Sequence, residues 1–131
     1  MATVGASNDI DKPAGGVPRH LKSIGYHVIP VNPNGSKILG VRSYASLSDV
    51  DEPVDVVQVF RPSGEAPDIA RQAVALGATT LWLQLGITSD EARRIAEGAG
   101  IDYVEDLCMA QETRRLRIRK EPGPTGAGRA S

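Results

Sequence analysis

The chain has 131 residues, of which 40% are hydrophobic and 24% are charged, and its formal net charge is −1. This length supports one domain with a real core and is too short for two domains of ordinary size. The single cysteine excludes an internal disulfide, no apolar run reaches the roughly 18 residues of a membrane span, and no signal segment opens the chain, so we expect a cytoplasmic protein.

The charges are unevenly distributed along the chain. Residues 1–112 carry nine basic and fifteen acidic side chains, whereas residues 113–131 carry six basic side chains and one acidic side chain. The basic run at 114–120 has no interleaved aromatic residues, so a solvated helix end on an acidic body is favoured over nucleic-acid contact. We expect one domain over residues 1–116 and a basic, disordered tail over residues 117–131.

The first elements form a βαβ unit over residues 3–33. A short apolar strand enters Gly5, where small residues allow a backbone to approach a phosphate closely. Because proline fits best in a first helical turn, Pro18 predicts a helix that starts near Val17, runs to Ile24 and is capped by Gly25. No capping side chain stands at this start, which leaves its amides available to an anion. A β-branched strand over residues 26–31 completes the unit.

The rest of the chain alternates strand-like and helix-like segments, which is typical of an α/β fold with a mainly parallel sheet. Residues 34–36 are predicted to form a turn, residues 37–44 to be irregular, and residues 46–51 to hold one short helical turn. Further strands are predicted at residues 54–60, 79–85 and 101–104. Helices are predicted at residues 65–76, from Ser89 to the glycines at 98 and 100, and at residues 108–116.

The strand ends define a candidate ligand crevice. In open parallel sheets a ligand binds beyond the carboxyl ends of the strands, where the strand order reverses beside the first strand. The full G-x-G-x-x-G fingerprint is absent, and residues 32–34 are Asn-Pro-Asn where NAD favours an acidic residue. Three nearby basic residues suit a phosphate-rich ligand instead: Lys12, Lys37 and Arg61.

Five segments together resemble the small bacterial and archaeal coenzyme A-binding domain proteins: GASNDIDKP, GYHVIPVNPN, ILG-x-x-x-Y-x-S-L, VDVVQVFRP and WLQLGI. This series covers nearly the whole chain up to Leu116. That family is similar to the coenzyme A-binding part of the succinyl-CoA synthetase α subunit. The resemblance implies an α/β, Rossmann-like three-layer fold with a five-stranded, mainly parallel sheet, and coenzyme A or acyl-CoA lying across the strand ends.

The resemblance also implies which residues meet the ligand. Four residues would contact the pyrophosphate region: Gly5, Ala6, Ser7 and Lys12. Three would wall the nucleotide: Val31, Asn32 and Pro33. Five would line the remaining crevice: Phe60, Arg61, Gln84, Leu85 and Gly86. Lys37 is a weaker candidate, and Lys12 and Arg61 have the alternative role of surface charges.

The sequence departs from the family pattern in two places. Family members carry a helical segment before the first strand, whereas this chain begins at Met1, so we expect either a truncated start or a sheet without that cover. Relatives often have Glu-His in the last helix, where this chain has Glu112 and Thr113. That difference weakens the case for chemistry at this position.

Three functions follow as hypotheses, and we favour a non-catalytic coenzyme A-binding protein. An NAD(P)-dependent oxidoreductase would need a substrate domain that this length does not provide. A coenzyme A-binding subunit of an acyl-CoA synthetase would need a phosphate-accepting histidine that neither His20 nor His27 is placed to supply. We expect a small-molecule nucleotide ligand without nucleic acid or membrane contact, and leave open a homodimer or an unknown protein partner.

Four further side chains have two interpretations each. The histidines His20 and His27 lack metal-site spacing, so structural or surface roles are favoured. Trp82 lies within an apolar strand and is expected in the core rather than as a stacking platform. Cys108 precedes a predicted helix near the ligand rim, where a thiol could form a mixed disulfide with coenzyme A, although most cysteines are small buried hydrophobes.

Overall fold

The main sheet has five parallel strands. The structure, a computed structural model, describes residues 1–34 and 37–115. Its strands are β1 (Ala2–Val4), β2 (Ile29–Val31), β5 (Val56–Val59), β6 (Thr80–Leu83) and β7 (Asp102–Val104). Their order in the sheet is β2-β1-β5-β6-β7. The predicted α/β class with a five-stranded, mainly parallel sheet is confirmed, and the strand order reverses beside β1 as the sequence predicted.

Helices cover both faces of this sheet and give three layers. The four helices of the described residues are α1 (Pro13–Ser23), α2 (Ala66–Ala75), α3 (Asp90–Gly98) and α4 (Met109–Arg115). One buried cluster joins α2 and α3 to one face of the sheet, and a second joins α1 and α4 to the other. Alternate residues of β5 divide between them, since Val57 and Val59 enter the first cluster and Val56 the second. Every residue of β5 is therefore buried.

The start of α3 follows directly from its sequence. Ser89 is the N-cap, and its Oγ accepts the backbone amide of Ala92 at 3.1 Å. Asp90 and Glu91 lie in the first turn, where the positive end of the helix dipole favours them. Ala92 and Ala96 form the buried face. The predicted helix at this position begins as expected because all of its signals are local.

The predicted start of α1 near Val17 is wrong. The helix begins at Pro13 and contains Pro18 in its interior. A proline at this place carries no amide proton for the carbonyl of Ala14, four residues earlier. That carbonyl accepts the amide of Ser7 at 2.9 Å instead, so the missing helical hydrogen bond is replaced by one from the preceding loop. The loop therefore satisfies the Ala14 carbonyl, whose loss of a hydrogen bond is one reason why proline is unfavourable inside a helix.

The prediction of irregular structure over residues 37–44 is also wrong. Strands β3 (Lys37–Ile38) and β4 (Val41–Arg42) form a two-stranded antiparallel hairpin. Its two-residue turn has positive φ at both positions, 60° at Leu39 and 76° at Gly40, as a type I′ turn requires. Leucine is an unusual residue at positive φ, and its side chain is 7% exposed. The burial of the Leu39 side chain stabilises this turn, although leucine seldom adopts positive φ.

The carboxyl-terminal tail and most of the basic run lie outside the described residues, as do two of the three residues of the predicted turn at 34–36. The short helical turn predicted within residues 46–51 is present as a 3₁₀ turn, Leu47–Asp49. Within residues 1–34 and 37–115, no helix is long and apolar enough to cross a membrane.

Candidate functional site

A cleft of about 710 Å³ opens at the carboxyl ends of β5 and β6. The residues that follow these strands supply Phe60, Gln84 and Leu85. The loop before α1 supplies Ile10 and Lys12, and α1 itself supplies Ala14 and Val17. Cys108 lies just before α4, and α4 itself supplies Ala110 and Arg114. The cleft is therefore at the edge of the sheet that parallel topology predicted.

The turn after β1 packs against the turn after β5. Gly5 has φ of +91°, and a Cβ built there would lie 3.0 Å from Cδ of Arg61 and 3.3 Å from the backbone of Phe60. The amide of Gly5 donates to the carbonyl of Val31 at 2.8 Å, and the amide of Phe60 donates to that of Val4 at 2.9 Å. The sequence predicts that the backbone at Gly5 can approach a phosphate closely. In the structure, the close neighbours of Gly5 are Phe60 and Arg61 of the protein itself.

The loop from β1 to α1 folds tightly over the helix start. Ser7 Oγ accepts the amide of Asp9 at 3.0 Å. Gly15 faces this loop, and a Cβ at Gly15 would collide with the carbonyl oxygen of Asp9. Only glycine fits at this contact. The predicted residues Ala6 and Ser7 thus lie in a loop that supports the cleft, and neither is among its lining residues.

The first turn of α1 offers fewer open amides than its sequence suggested. Lys12 is the N-cap and makes no side-chain capping hydrogen bond, as expected. However, the amides of Gly15 and Gly16 both donate to the carbonyl of Lys12 at 2.9 Å. Lys12 itself is exposed and lines the cleft. The positive character of this corner therefore includes the Lys12 ammonium as well as the helix dipole.

The residues at the end of β2 that are predicted to contact the nucleotide do not line the cleft, and two of them make contacts within the fold. Val31 is 2% exposed and belongs to the core. The side-chain amide of Asn32 donates to the carbonyl of Ala6 at 2.9 Å, which joins the end of β2 to the loop after β1. Pro33 is exposed. None of these three residues is among those lining the cleft.

Two of the three basic residues that the sequence predicts near the ligand, Arg61 and Lys37, do not line the cleft. Arg61 forms a two-pronged ion pair with Glu65, with Nε at 3.0 Å and Nη2 at 2.7 Å from its carboxylate oxygens. The guanidinium lowers the pKa of the Glu65 carboxyl, chiefly through this hydrogen bond. Lys37 lies on β3 and lines a separate cavity. The cations that do line the cleft are Lys12 and Arg114, opposed by the carboxylate of Asp11.

Gln84 connects the cleft to α4. It is 3% exposed, and its Oε1 accepts the amide of Met109, the first residue of α4, at 3.0 Å. Because a backbone amide can only donate, this contact fixes which end of the glutamine is oxygen. Its Nε2 is buried and has no hydrogen-bond partner among the described residues. A buried amide donor without a partner is costly, and a ligand acceptor in the cleft would remove that cost.

The neighbouring residues 85–86 form the rim. Leu85 is 62% exposed and Ile10, which also lines the cleft, is 65% exposed. The amide of Gly86 donates to a carboxylate oxygen of Asp106 at 2.7 Å, so this turn is held by the loop after β7. Gly86 does not line the cleft. Two large exposed apolar side chains beside charged groups suit an amphipathic ligand.

Sequence reasoning missed the contribution of α4. Ala110, Gln111 and Arg114 line the cleft, although they lie well beyond the last strand in sequence. Arg114 belongs to the basic run for which the sequence favours a solvated helix end, and its position beside the cleft adds a second cation. The sequence signal for this contribution is Cys108, which the sequence predicts at the same rim. Trp82, which the sequence predicts in the core, is half-buried and packs against the second core cluster.

The two histidines do not form a metal site. Among the residues that the structure describes, no group of three or more His, Cys, Asp or Glu side chains could hold a metal ion. His20 lies on α1, and its pKa is lowered by burial and then by the positive charge of Arg114. His27 pairs with Glu52 at 2.9 Å on the exposed surface.

Comparison with known proteins identifies the family of this chain. The family described as CoA binding domain matches residues 1–114. The chain belongs to this CoA-binding domain family. The Bacillus subtilis (strain 168) protein YneT is 35% identical over 109 residues, which cover 83% of this chain and 81% of YneT. A solved structure of a Thermus thermophilus protein, cell-free ID.343, is 42% identical with a TM-score of 0.83, covering 88% of this chain and 87% of that one.

The family also links the chain to much larger enzymes. An ADP-forming acetate–CoA ligase II of Archaeoglobus fulgidus is 29% identical over 99 residues, which cover 74% of this chain but 15% of the ligase. The chain is thus homologous to the CoA-binding domain of ADP-forming acetyl-CoA synthetases. It matches only a small part of that ligase.

Proposed function

We propose that this protein is a non-catalytic coenzyme A-binding module that holds coenzyme A or acyl-CoA across the carboxyl ends of its strands. The observation that carries the proposal is the composition of the cleft at this edge. Lys12 and Arg114 provide positive charge for phosphates, while Ile10, Phe60 and Leu85 provide apolar surface. Coenzyme A has the matching chemistry, since it joins a phosphorylated nucleotide to a long, mostly uncharged pantetheine arm.

The buried part of the cleft fits the arm as well. Coenzyme A carries two amide groups in its pantetheine arm, and their carbonyl oxygens are hydrogen-bond acceptors. Gln84 Nε2 is a donor that lacks a partner in the described structure. A ligand carbonyl at this position would satisfy it. Gln84 and Phe60 would then guide the arm, and Lys12 and Arg114 would hold the phosphates.

A ligand screen by thermal denaturation tests this proposal. Coenzyme A should raise the melting temperature more than NAD, NADP or ATP at equal concentration. At a hundredfold excess over its dissociation constant a ligand adds about 2.7 kcal/mol, which shifts a domain of this size by several degrees. Equal or greater stabilisation by NAD would contradict the proposal and favour a dinucleotide-binding function.

A second candidate is a coenzyme A-binding subunit that acts with another chain in acyl-CoA synthesis. Its support is the homology to part of the Archaeoglobus fulgidus ligase. The two candidates differ in what the chain does to acetyl-CoA once the nucleotide-binding subunit of an ADP-forming synthetase is added. A non-catalytic module should bind acetyl-CoA and release no thiol above the buffer rate even with that subunit, ADP and phosphate present. Thiol release that requires this chain, the added subunit, ADP and phosphate together would favour the synthetase.

A further inference from the structure

The segment that carries Cys108 is anchored to β6 on both sides of the cysteine. The carbonyl of Leu107 accepts Nε1 of Trp82 at 2.7 Å, and the amide of Met109 donates to Oε1 of Gln84 at 3.0 Å. Trp82 belongs to β6 and Gln84 follows it directly. The two bonds therefore fix the backbone of Cys108 against the end of one strand.

The thiol lies at the cleft and is free. Cys108 is half-buried, lines the 710 Å³ cleft and is not in a disulfide. A cysteine at a cleft does not by itself indicate a ligand. The second observation is Gln84, 97% buried and lining the same cleft, whose Nε2 donor is without a partner in the described structure. The Oε1 of Gln84 accepts the amide of Met109, the residue next to Cys108, and both Gln84 and Cys108 line the cleft, so a ligand that accepts from Gln84 lies in the same part of the cleft as Cys108.

We propose that Cys108 is a site of reversible disulfide exchange with the thiol end of coenzyme A. The inference rests on the proposed function, because the cleft must first bind the nucleotide and then place the pantetheine arm along Gln84. Pantetheine ends in a sulfur beyond its second amide, so an arm held by an amide carbonyl at Gln84 Nε2 presents that sulfur to the nearby thiol. Cys108 thereby becomes a modification site selective for coenzyme A over other thiols.

The exchange balances with coenzyme A disulfide as the co-reactant. The Cys108 thiol gives its proton to water, and its Sγ attacks one sulfur of the coenzyme A disulfide. A bond forms between Sγ and that sulfur, and the original S–S bond breaks. The second coenzyme A leaves with the electron pair and takes up a proton to become a free thiol. The cysteine is oxidised and the departing coenzyme A is reduced, and a thiol reductant reverses the step.

The test compares the rate of adduct formation by two disulfides that share the same reactive arm. Pantethine is the disulfide of pantetheine and lacks the nucleotide, so its intrinsic exchange chemistry matches that of coenzyme A disulfide. Intact mass spectrometry follows each reaction, and any adduct reports on Cys108 because the chain has one cysteine. Coenzyme A disulfide should react at least about tenfold faster, since binding the nucleotide raises the effective concentration of the disulfide.

Two controls complete the design. Desulfo-coenzyme A, which binds without a reactive sulfur, should slow the reaction of the unaltered protein, and dithiothreitol should remove the adduct. The Cys108→Ser variant should form no adduct and still bind coenzyme A by calorimetry. If this variant binds coenzyme A but the two disulfides modify the unaltered protein at equal rates, the inference is overturned and the proposed function stands. Failure of both proteins to bind coenzyme A overturns the function and the inference together.

Discussion

The backbone amide of Ser7 donates to the carbonyl oxygen of Ala14 at 2.9 Å and joins the loop after β1 to the first turn of α1. This is the carbonyl that the interior Pro18 leaves without a helical donor. The loop and the helix start are thus one hydrogen-bonded unit. Since Lys12 stands at this helix start, the position of its ammonium beside the cleft depends on the loop holding its shape.

Gly15→Ala should disrupt this unit. An alanine Cβ would collide with the carbonyl of Asp9, so we expect a loss of about 1–3 kcal/mol in the free energy of unfolding and weaker coenzyme A binding. The control is Gly98→Ala in α3, where a Cβ meets nothing within 4 Å and should stabilise by up to about 1 kcal/mol. Urea denaturation compares both variants. Equal stability of the two would contradict the close contact at Gly15.

Lys12→Ala should weaken coenzyme A binding through charge. Lys12 is exposed, so its removal should leave the melting temperature of the free protein nearly unchanged. We expect about a tenfold rise in Kd at low salt, equivalent to about 1.4 kcal/mol, and a smaller rise at high salt because ions screen the attraction. Titration calorimetry at two salt concentrations measures this.

Arg61→Ala is the matched control for Lys12. Its guanidinium is already paired with Glu65 at 2.7 Å, so its loss should raise the Kd less than the loss of Lys12. If Arg61→Ala raised the Kd more than Lys12→Ala does, the ion pair between Arg61 and Glu65 would have to break when the ligand binds.

Gln84→Met should destabilise the fold and weaken binding. It removes the acceptor of the Met109 amide at the start of α4, for which we expect about 1–3 kcal/mol of lost stability. Gln84→Glu keeps an oxygen for that amide but replaces the Nε2 donor with a carboxylate oxygen at a site that is 3% exposed, so it should lose stability through the buried charge and bind coenzyme A more weakly. Gln111→Met is the control, because Gln111 lies at an exposed position of the same cleft. Its free energy of unfolding in urea should be within about 0.5 kcal/mol of that of the unaltered protein.

Protonation of His20 should lower stability in mild acid. Burial and Arg114 lower its pKa in the folded protein below the ordinary 6.5, so the unfolded chain binds a proton more readily. The contribution of His20 is therefore complete above pH 6.5 and is lost as the pH falls through the folded-state value. Melting temperatures between roughly pH 8 and pH 5 should fall less in His20→Gln than in the unaltered protein. A steeper fall of the melting temperature in His20→Gln would show that folding raises the pKa of His20 rather than lowering it.

The five-stranded sheet and the edge at which the cleft opens could be predicted from local patterns in the sequence. Runs such as Val56–Val59 and Thr80–Leu83 are strand-like in their own composition. Their alternation with helices requires parallel pairing, and parallel pairing brings all carboxyl ends to one edge. The Ser89 cap was predictable for the same reason, because its signal spans only four residues.

The start of α1 and the composition of the cleft depend on tertiary contacts and could not be predicted from the sequence. By local rules Pro18 belongs in the first turn of a helix, but a hydrogen bond from the amide of Ser7 satisfies the Ala14 carbonyl that Pro18 leaves without a helical donor. Leu39 disfavours a tight hairpin by its backbone preference, yet its burial in the core outweighs that preference. Arg114 reaches the cleft because α4 packs beside α1. Each outcome depends on contacts between segments distant in sequence, which local periodicity and backbone preference do not encode.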